Sequence, residues 1–155
     1  MLIAAVAVLV TVVCDRLYPT VAEQAGPATR RALVFVPVSG RLTEAAWLYG
    51  FWKLGVPAGV VIAAGGLSLM HEYLRSRGHI AGLRDIGIST LGERSLRGWT
   101  TLAGYGIAGL VALAKTSMST GLATGIVTIA ATAWLLLAVL GFVQLMIVVS
   151  AALRK

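Results

Sequence analysis

Apolar residues run unbroken from Met1 to Cys14, return in shorter blocks through the middle of the chain, and close in one long run before its last residues. As a helix, residues 1–14 cover about 21 Å at 1.5 Å per residue, short of a hydrocarbon core of about 30 Å. Continuing through Asp15 and Arg16 to Tyr18 brings charged and aromatic groups to an interface, which predicts a first span over 1–18. Pro19 marks its end, because the residue before a proline is biased away from helical geometry. A secretory signal would carry positive charge ahead of the apolar run, and none is present, so the segment reads as a retained helix. Were it cleaved, three spans would remain in place of four.

Residues 19–44 read as a polar connector with an apolar patch, Ala32–Val38, that is too short to span and contains Pro37. It suits a re-entrant or interfacial segment, or apolar packing beneath neighbouring helices. Thr43 and Glu44 suit the cap and first turn of the next helix. A second span follows over 45–70. Its early turns carry Trp47, Tyr49, Phe51 and Trp52, an interfacial aromatic belt, and Lys53, whose stem can snorkel to the same layer. Pro57 should kink it. Gly55 and Gly59 stand at the spacing that lets two membrane helices approach closely.

Residues 71–99 mix Arg75, Arg77, Arg84, Arg94 and Arg97 with isolated apolar positions, a pattern suited to a segment lying among lipid headgroups. Five glycines in that stretch argue against one uninterrupted helix. The third span, 100–114, is short, so its helix must run past one boundary or the bilayer must thin. It contains Gly104. The polar break at 115–120 leads to the fourth span, 121–150, which opens with Gly121 and Gly125.

Composition agrees with this pattern. Of 155 residues 58% are hydrophobic and only 12% charged, and the mean hydropathy is +0.88. A soluble domain of this size lacks the interior to hide so much apolar surface. The expectation is an all-α membrane protein: a single polytopic domain over 1–155, with three to four transmembrane helices joined by amphipathic interfacial connectors. Its place is the cell membrane, multi-pass.

Thirteen Lys and Arg oppose six Asp and Glu. In a soluble domain that excess would suggest nucleic acid; here the cations sit in connectors and at helix ends, where each gains about 1 kcal/mol near anionic lipid. Membrane lipids are therefore the expected partners, with no nucleic acid as a direct ligand. With four spans, basic residues divide seven against five between the two sides, a slight preference for cytoplasmic termini that dual insertion also accommodates.

Candidate chemistry is sparse. His71 and His79 flank Gly78, so one chain could offer a single axial ligand to a shared haem at most, and hydrogen bonding to water or lipid is the plainer role. Cys14 has no cysteine to pair with, and no metal-ligand spacing is present. The six acids all fall outside the central apolar stretches, which leaves no ionisable group at membrane depth to mark a proton or ion path. Gly104–Gly109 matches GxGxxG in form but has no preceding strand. No enzyme, cofactor or metal is expected. Thr124, Thr128 and Thr132 recur every four residues and share one helix face; with Gln144 and Lys115 they are candidates for a pore or lumen lining, or for hydrogen bonding between helices.

Residues 100–150, two glycine- and alanine-rich segments around a short basic break, resemble in composition the small pilins of conjugation-type systems. Three functional expectations follow. The first is a structural or accessory subunit of a larger membrane assembly, held to other transmembrane helices through small-residue faces. The second is a homo-oligomeric small transporter or channel, and the third a pilin-like polymerising subunit of a conjugation or secretion system.

Overall fold

A computed structural model describes residues 1–26, 29–83, 93–114 and 118–154. The fold is all-helical, with five helices: α1 (Leu2–Ala25), α2 (Arg30–Lys53), α3 (Ala58–Ile80), α4 (Arg94–Leu113) and α5 (Ser119–Ala152). Two of them, α1 and α5, are long and apolar enough to cross a membrane.

Two boundaries differ from the sequence expectation because proline did not stop a helix. α1 runs through Pro19 to Ala25, and α2 runs through Pro37. Each proline removes one donor from the carbonyl four residues earlier. Those carbonyls belong to Asp15 and Leu33, both exposed residues, so no orphaned group is sealed inside the bundle. The expected connector 19–44 is therefore the end of α1 and the first half of α2. The Thr29 hydroxyl caps α2 by accepting from the Ala32 N–H at 3.2 Å. Thr43 and Glu44 lie inside that helix and do not start one. The Ala32–Val38 patch shows Leu33, Val34 and Phe35 on the outer surface.

The expected second span, 45–70, is two helices. Pro57 does not merely kink it. Gly55 two residues earlier takes a positive φ of 95°, and the Val56 N–H donates back to the Phe51 carbonyl at 3.1 Å. Two breaks so close together reverse the chain. α2 and α3 form an antiparallel hairpin in which Leu48 meets Gly65 and Arg41 faces Glu72 at 3.8 Å.

The 71–99 connector is also shorter than expected. α3 continues to Ile80 and α4 begins at Arg94; residues 84–92, with Arg84, lie outside the described segments. By starting at Arg94, α4 gains the length that 100–114 lacked.

Helix α5 forms the spine. It packs on α3 and α4, α4 carries α1, and α2 packs on α3. Asp15 pairs with Arg94, Val12 lies against Gly98 and Leu2 against Gly109, so α1 runs antiparallel to α4 over residues 2–15. The Met1 end thus shares one end of the bundle with the 54–57 turn, Ala114 and Met118. The opposite end holds Gly26, Thr29, residues 81–83, Glu93 and the C-terminal end of α5. Met1 and Arg154 lie at opposite ends of the bundle, because division of the expected second span into α2 and α3 makes the number of helices odd.

The core is built from aromatic groups set among small residues. Trp134 is fully buried, donates its Nε1–H to Ser68 Oγ at 3.0 Å, and meets Trp47 edge to face at 6.2 Å. Phe51 stacks on Tyr105 with ring centroids 4.8 Å apart. The Tyr105 hydroxyl donates to the Trp47 carbonyl at 2.7 Å, above Gly50. The expected aromatic belt is therefore divided: Trp47 and Phe51 are core, while Tyr49 and Trp52 face outward. Along α5 both faces are apolar. Ala123, Ala130, Ala131, Ala138 and Gly141 are buried together with Val127, Trp134, Leu145 and Val149, while Leu122, Ile129, Leu136 and Ile147 are 53%, 71%, 58% and 64% exposed.

Candidate functional site

The described ionisable groups gather at one end. Nine of the ten described Lys and Arg residues lie toward it (Arg16, Arg30, Arg31, Arg41, Arg75, Arg77, Arg94, Arg97 and Arg154), and only Lys53 lies at the other. All five described carboxylates share the arginine-rich end. Within it is a buried ionic cluster that sequence reasoning missed.

Arg97, in the first turn of α4, has no exposed surface. Its Nε and Nη2 both donate to Glu44 Oε1, at 3.1 and 2.8 Å. The other oxygen of Glu44 accepts from Arg41 Nη1 at 2.7 Å. One oxygen of Glu72 stands 3.7 Å from Arg97, 3.8 Å from Arg41 and 3.9 Å from Nδ1 of the buried His71. Two guanidiniums and two carboxylates balance. A lone charge here would be prohibitive, and a pair this dry must have its lone pairs and protons satisfied to be tolerated. The sequence pattern did not show that Glu44, Arg97 and His71 are buried between helices. Each is inside because its partners come from other helices: α2 supplies Arg41 and Glu44, α3 supplies His71 and Glu72, and α4 supplies Arg97.

A second pair lies alongside. Arg94 reaches Asp15 of α1 at 2.9 Å while its guanidinium passes over Gly40 of α2, where a side chain would collide with it. Arg94 Nε is buried and finds no hydrogen-bond acceptor among the described residues. The space beside this pair is a cleft of about 630 Å³ with walls from α1, α2, α3 and the start of α4. α1 packs on α4 and α2 on α3, but α1 and α2 barely touch.

The sequence-predicted residues scatter around these features. Of the five arginines assigned to lipid headgroups, Arg97 is corrected to a buried structural cation, because Glu44 and Glu72 compensate it. Arg94 and Arg75 line the cleft. Arg77 is exposed, its guanidinium 5.8 Å from the Tyr73 ring centroid. Arg84 and Lys115 lie outside the described residues. Of the five packing glycines, Gly104 makes the expected close contact: a Cβ there would stand 2.5 Å from Ala130 Cβ. Gly55 serves the turn instead. Gly59, Gly121 and Gly125 have nothing within 4 Å of a Cβ position, so they pack on no helix of this chain.

The threonines do share a face, and their hydroxyls are engaged. Thr124 Oγ1 donates to the Leu54 carbonyl at 3.2 Å, tying α5 to the α2–α3 turn. Thr128 and Thr132 each donate to the carbonyl one turn earlier, both at 2.8 Å. Gln144 is exposed farther along α5. His71 is buried and His79 exposed, so the two do not converge. Among the described residues no group of three or more His, Cys, Asp and Glu could hold a metal ion.

The missed cluster did leave a trace: Arg41 and Glu44 are spaced i, i+3, a contact spacing on a helix. It went unread because Pro37 and Gly40 placed the pair in a connector. The sequence matches no protein-family model, and comparison with curated proteins and with solved structures finds no significant relative.

Proposed function

We propose that this chain is a multi-pass integral membrane protein acting as a structural or accessory subunit of a larger membrane assembly. The carrying observation is α5, 34 residues without a charged side chain, whose outer surface shows Leu122, Ile129, Leu136, Leu140 and Ile147. Such a surface is costly in water and suited to hydrocarbon. On the same helix Gly121 and Gly125 are one turn apart and open. Small residues at that spacing let the backbone of another helix come close where water gives no driving force.

All five helices cross in this reading, α2 to α4 as a group whose charges are already paired. The division of nine described cations against one then sets the orientation: the arginine-rich end faces the cytoplasm and the Met1 end the opposite side.

Two measurements test the proposal. Gentle extraction from the source membrane, followed by native mass determination, should recover other chains with this one at fixed ratio. Gly121→Leu with Gly125→Leu should release them without lowering the melting temperature of the isolated chain. A monodisperse monomer from wild type counts against the subunit role, and copies of this chain alone point to a homo-oligomer. A reporter fused after Lys155 should be active in the cytoplasm, and one fused before Met1 should be active on the other side.

A further inference from the structure

We propose that the cleft between α1 and α2 is a binding site for an aminophospholipid, a lipid whose headgroup carries a phosphate and a primary ammonium. This rests on the membrane reading above and adds a ligand to it.

The first argument is access. A cleft closed by tight helix contacts would suit a small solute from one end. This one has α1 and α2 as its walls, and those two helices barely meet. The seam opens sideways, in the direction from which a lipid arrives.

The second is the polarity of the walls. On α1 the lining passes from Val10 and Val12 to Asp15 and Arg16 at the level of Arg94, and Glu72 and Arg75 of α3 add to the charged part. Along α1 that change occurs within about two helical turns, and it falls where the unbroken apolar run ends. An amphiphile needs this gradient: acyl chain against valine, headgroup against charge. At about 630 Å³ the cleft has the size of an ordinary small-molecule site, room for a headgroup and glycerol with the chains continuing along the seam.

The third is the sign of the charges. Guanidiniums recognise phosphate through paired N–H donors, and Arg94 keeps a buried Nε–H for which the described residues supply no acceptor. Buried donors in native structures nearly always have one. A purely anionic headgroup would also face the carboxylates of Asp15, Glu72 and Glu93, which line the same space. A zwitterion satisfies both signs, its phosphate toward Arg94 and Arg75 and its cation toward the acids. A primary ammonium offers three N–H donors to those oxygens; a trimethylated one offers none.

The test uses the full chain in lipid nanodiscs of phosphatidylethanolamine, phosphatidylcholine and phosphatidylglycerol in equal parts, with native mass spectrometry of the released protein. Phosphatidylethanolamine adducts should exceed each of the others about tenfold, the difference made by one or two charge-assisted hydrogen bonds. Arg94→Gln should abolish the adduct, and Asp15→Asn should lose the preference over phosphatidylglycerol. Because both variants break an ion pair, Val10→Trp is the control: it fills the apolar part of the α1 wall, leaves the charges in place, and should remove the adduct at unchanged melting temperature. Adducts in bulk proportion, or retained in Val10→Trp, overturn the site. Displacement by soluble phosphoethanolamine at equal concentration overturns the lipid in favour of a free solute. If the protein leaves carbonate-washed membranes for the supernatant, the membrane reading itself fails; if it stays in them with no lipid preference, only the site does.

Discussion

The two ends of the bundle are held by different physics. At the arginine-rich end, helices are joined by charge: Arg97 of α4 on Glu44 of α2, which Arg41 also holds, and Arg94 of α4 on Asp15 of α1. At the opposite end the joints are a glycine turn, a threonine hydroxyl on a backbone carbonyl, and Leu2 laid against Gly109. Ionic joints are costly to desolvate and fail abruptly when one partner is lost. Small-residue joints are individually weak and fail gradually. The bundle should therefore be brittle at one end and forgiving at the other.

The largest expected effect tests the brittle end. Arg97→Met leaves Glu44 buried without the two hydrogen bonds from Arg97 and should cost about 3–5 kcal/mol, read by reversible denaturation in mixed micelles. Adding Glu44→Leu should recover most of that loss, since no orphaned charge is left; a double variant as unstable as the single would show that the pair matters through shape instead. Gly55→Ala comes next, forcing a side chain into a left-handed turn with Thr124 Cγ2 3.1 Å from its Cβ, at about 1–2 kcal/mol. Thr124→Val, which keeps the shape and removes the hydroxyl bond to Leu54, should cost about 0.6 kcal/mol. Smallest is Lys53→Ala. Its ammonium lies 5.4 Å from the Trp52 ring and 5.8 Å from that of Tyr49, exposed contacts worth about 0.5 kcal/mol. Should Lys53→Ala or Thr124→Val rival Arg97→Met, the contrast between the ends collapses.

The same contrast explains what could be read from the sequence. α5 was legible because its signal is local: thirty residues without a charge, most of them apolar, mean the same thing wherever they fold. α4 was legible in part: the shortness of 100–114 called for an extension past one boundary or a thinner bilayer, and the helix extends back to Arg94. α2 was not. Its arginines, glutamate, proline and glycine each argue for a loop taken singly, and the residues that make them acceptable in a helix interior belong to α3 and α4. Glu44 and Arg97 are 53 positions apart, beyond any periodicity. The glycines divide differently. Gly104 packs within the chain, whereas Gly59, Gly121 and Gly125 have none of the described residues against them, because a glycine pattern reports a narrow ridge and not what lies against it. Threonine periodicity likewise placed a face correctly without showing that the hydroxyls are already engaged by their own helix.

The separation of Glu44 from Arg97 also imposes an order in time. During synthesis the hairpin of α2 and α3 is finished before any residue of α4 exists, so Glu44 then has Arg41 but not its second guanidinium. In a chain inserted as it is made, this hairpin is the segment that must wait, held at the insertion machinery or at the bilayer surface, until α4 delivers Arg97. The long apolar α5 follows and closes the bundle against α3 and α4. A truncation that ends between Ile80 and Arg94 would strand the hairpin with an unmatched carboxylate, and a cell's membrane quality control would see it as a degradation substrate.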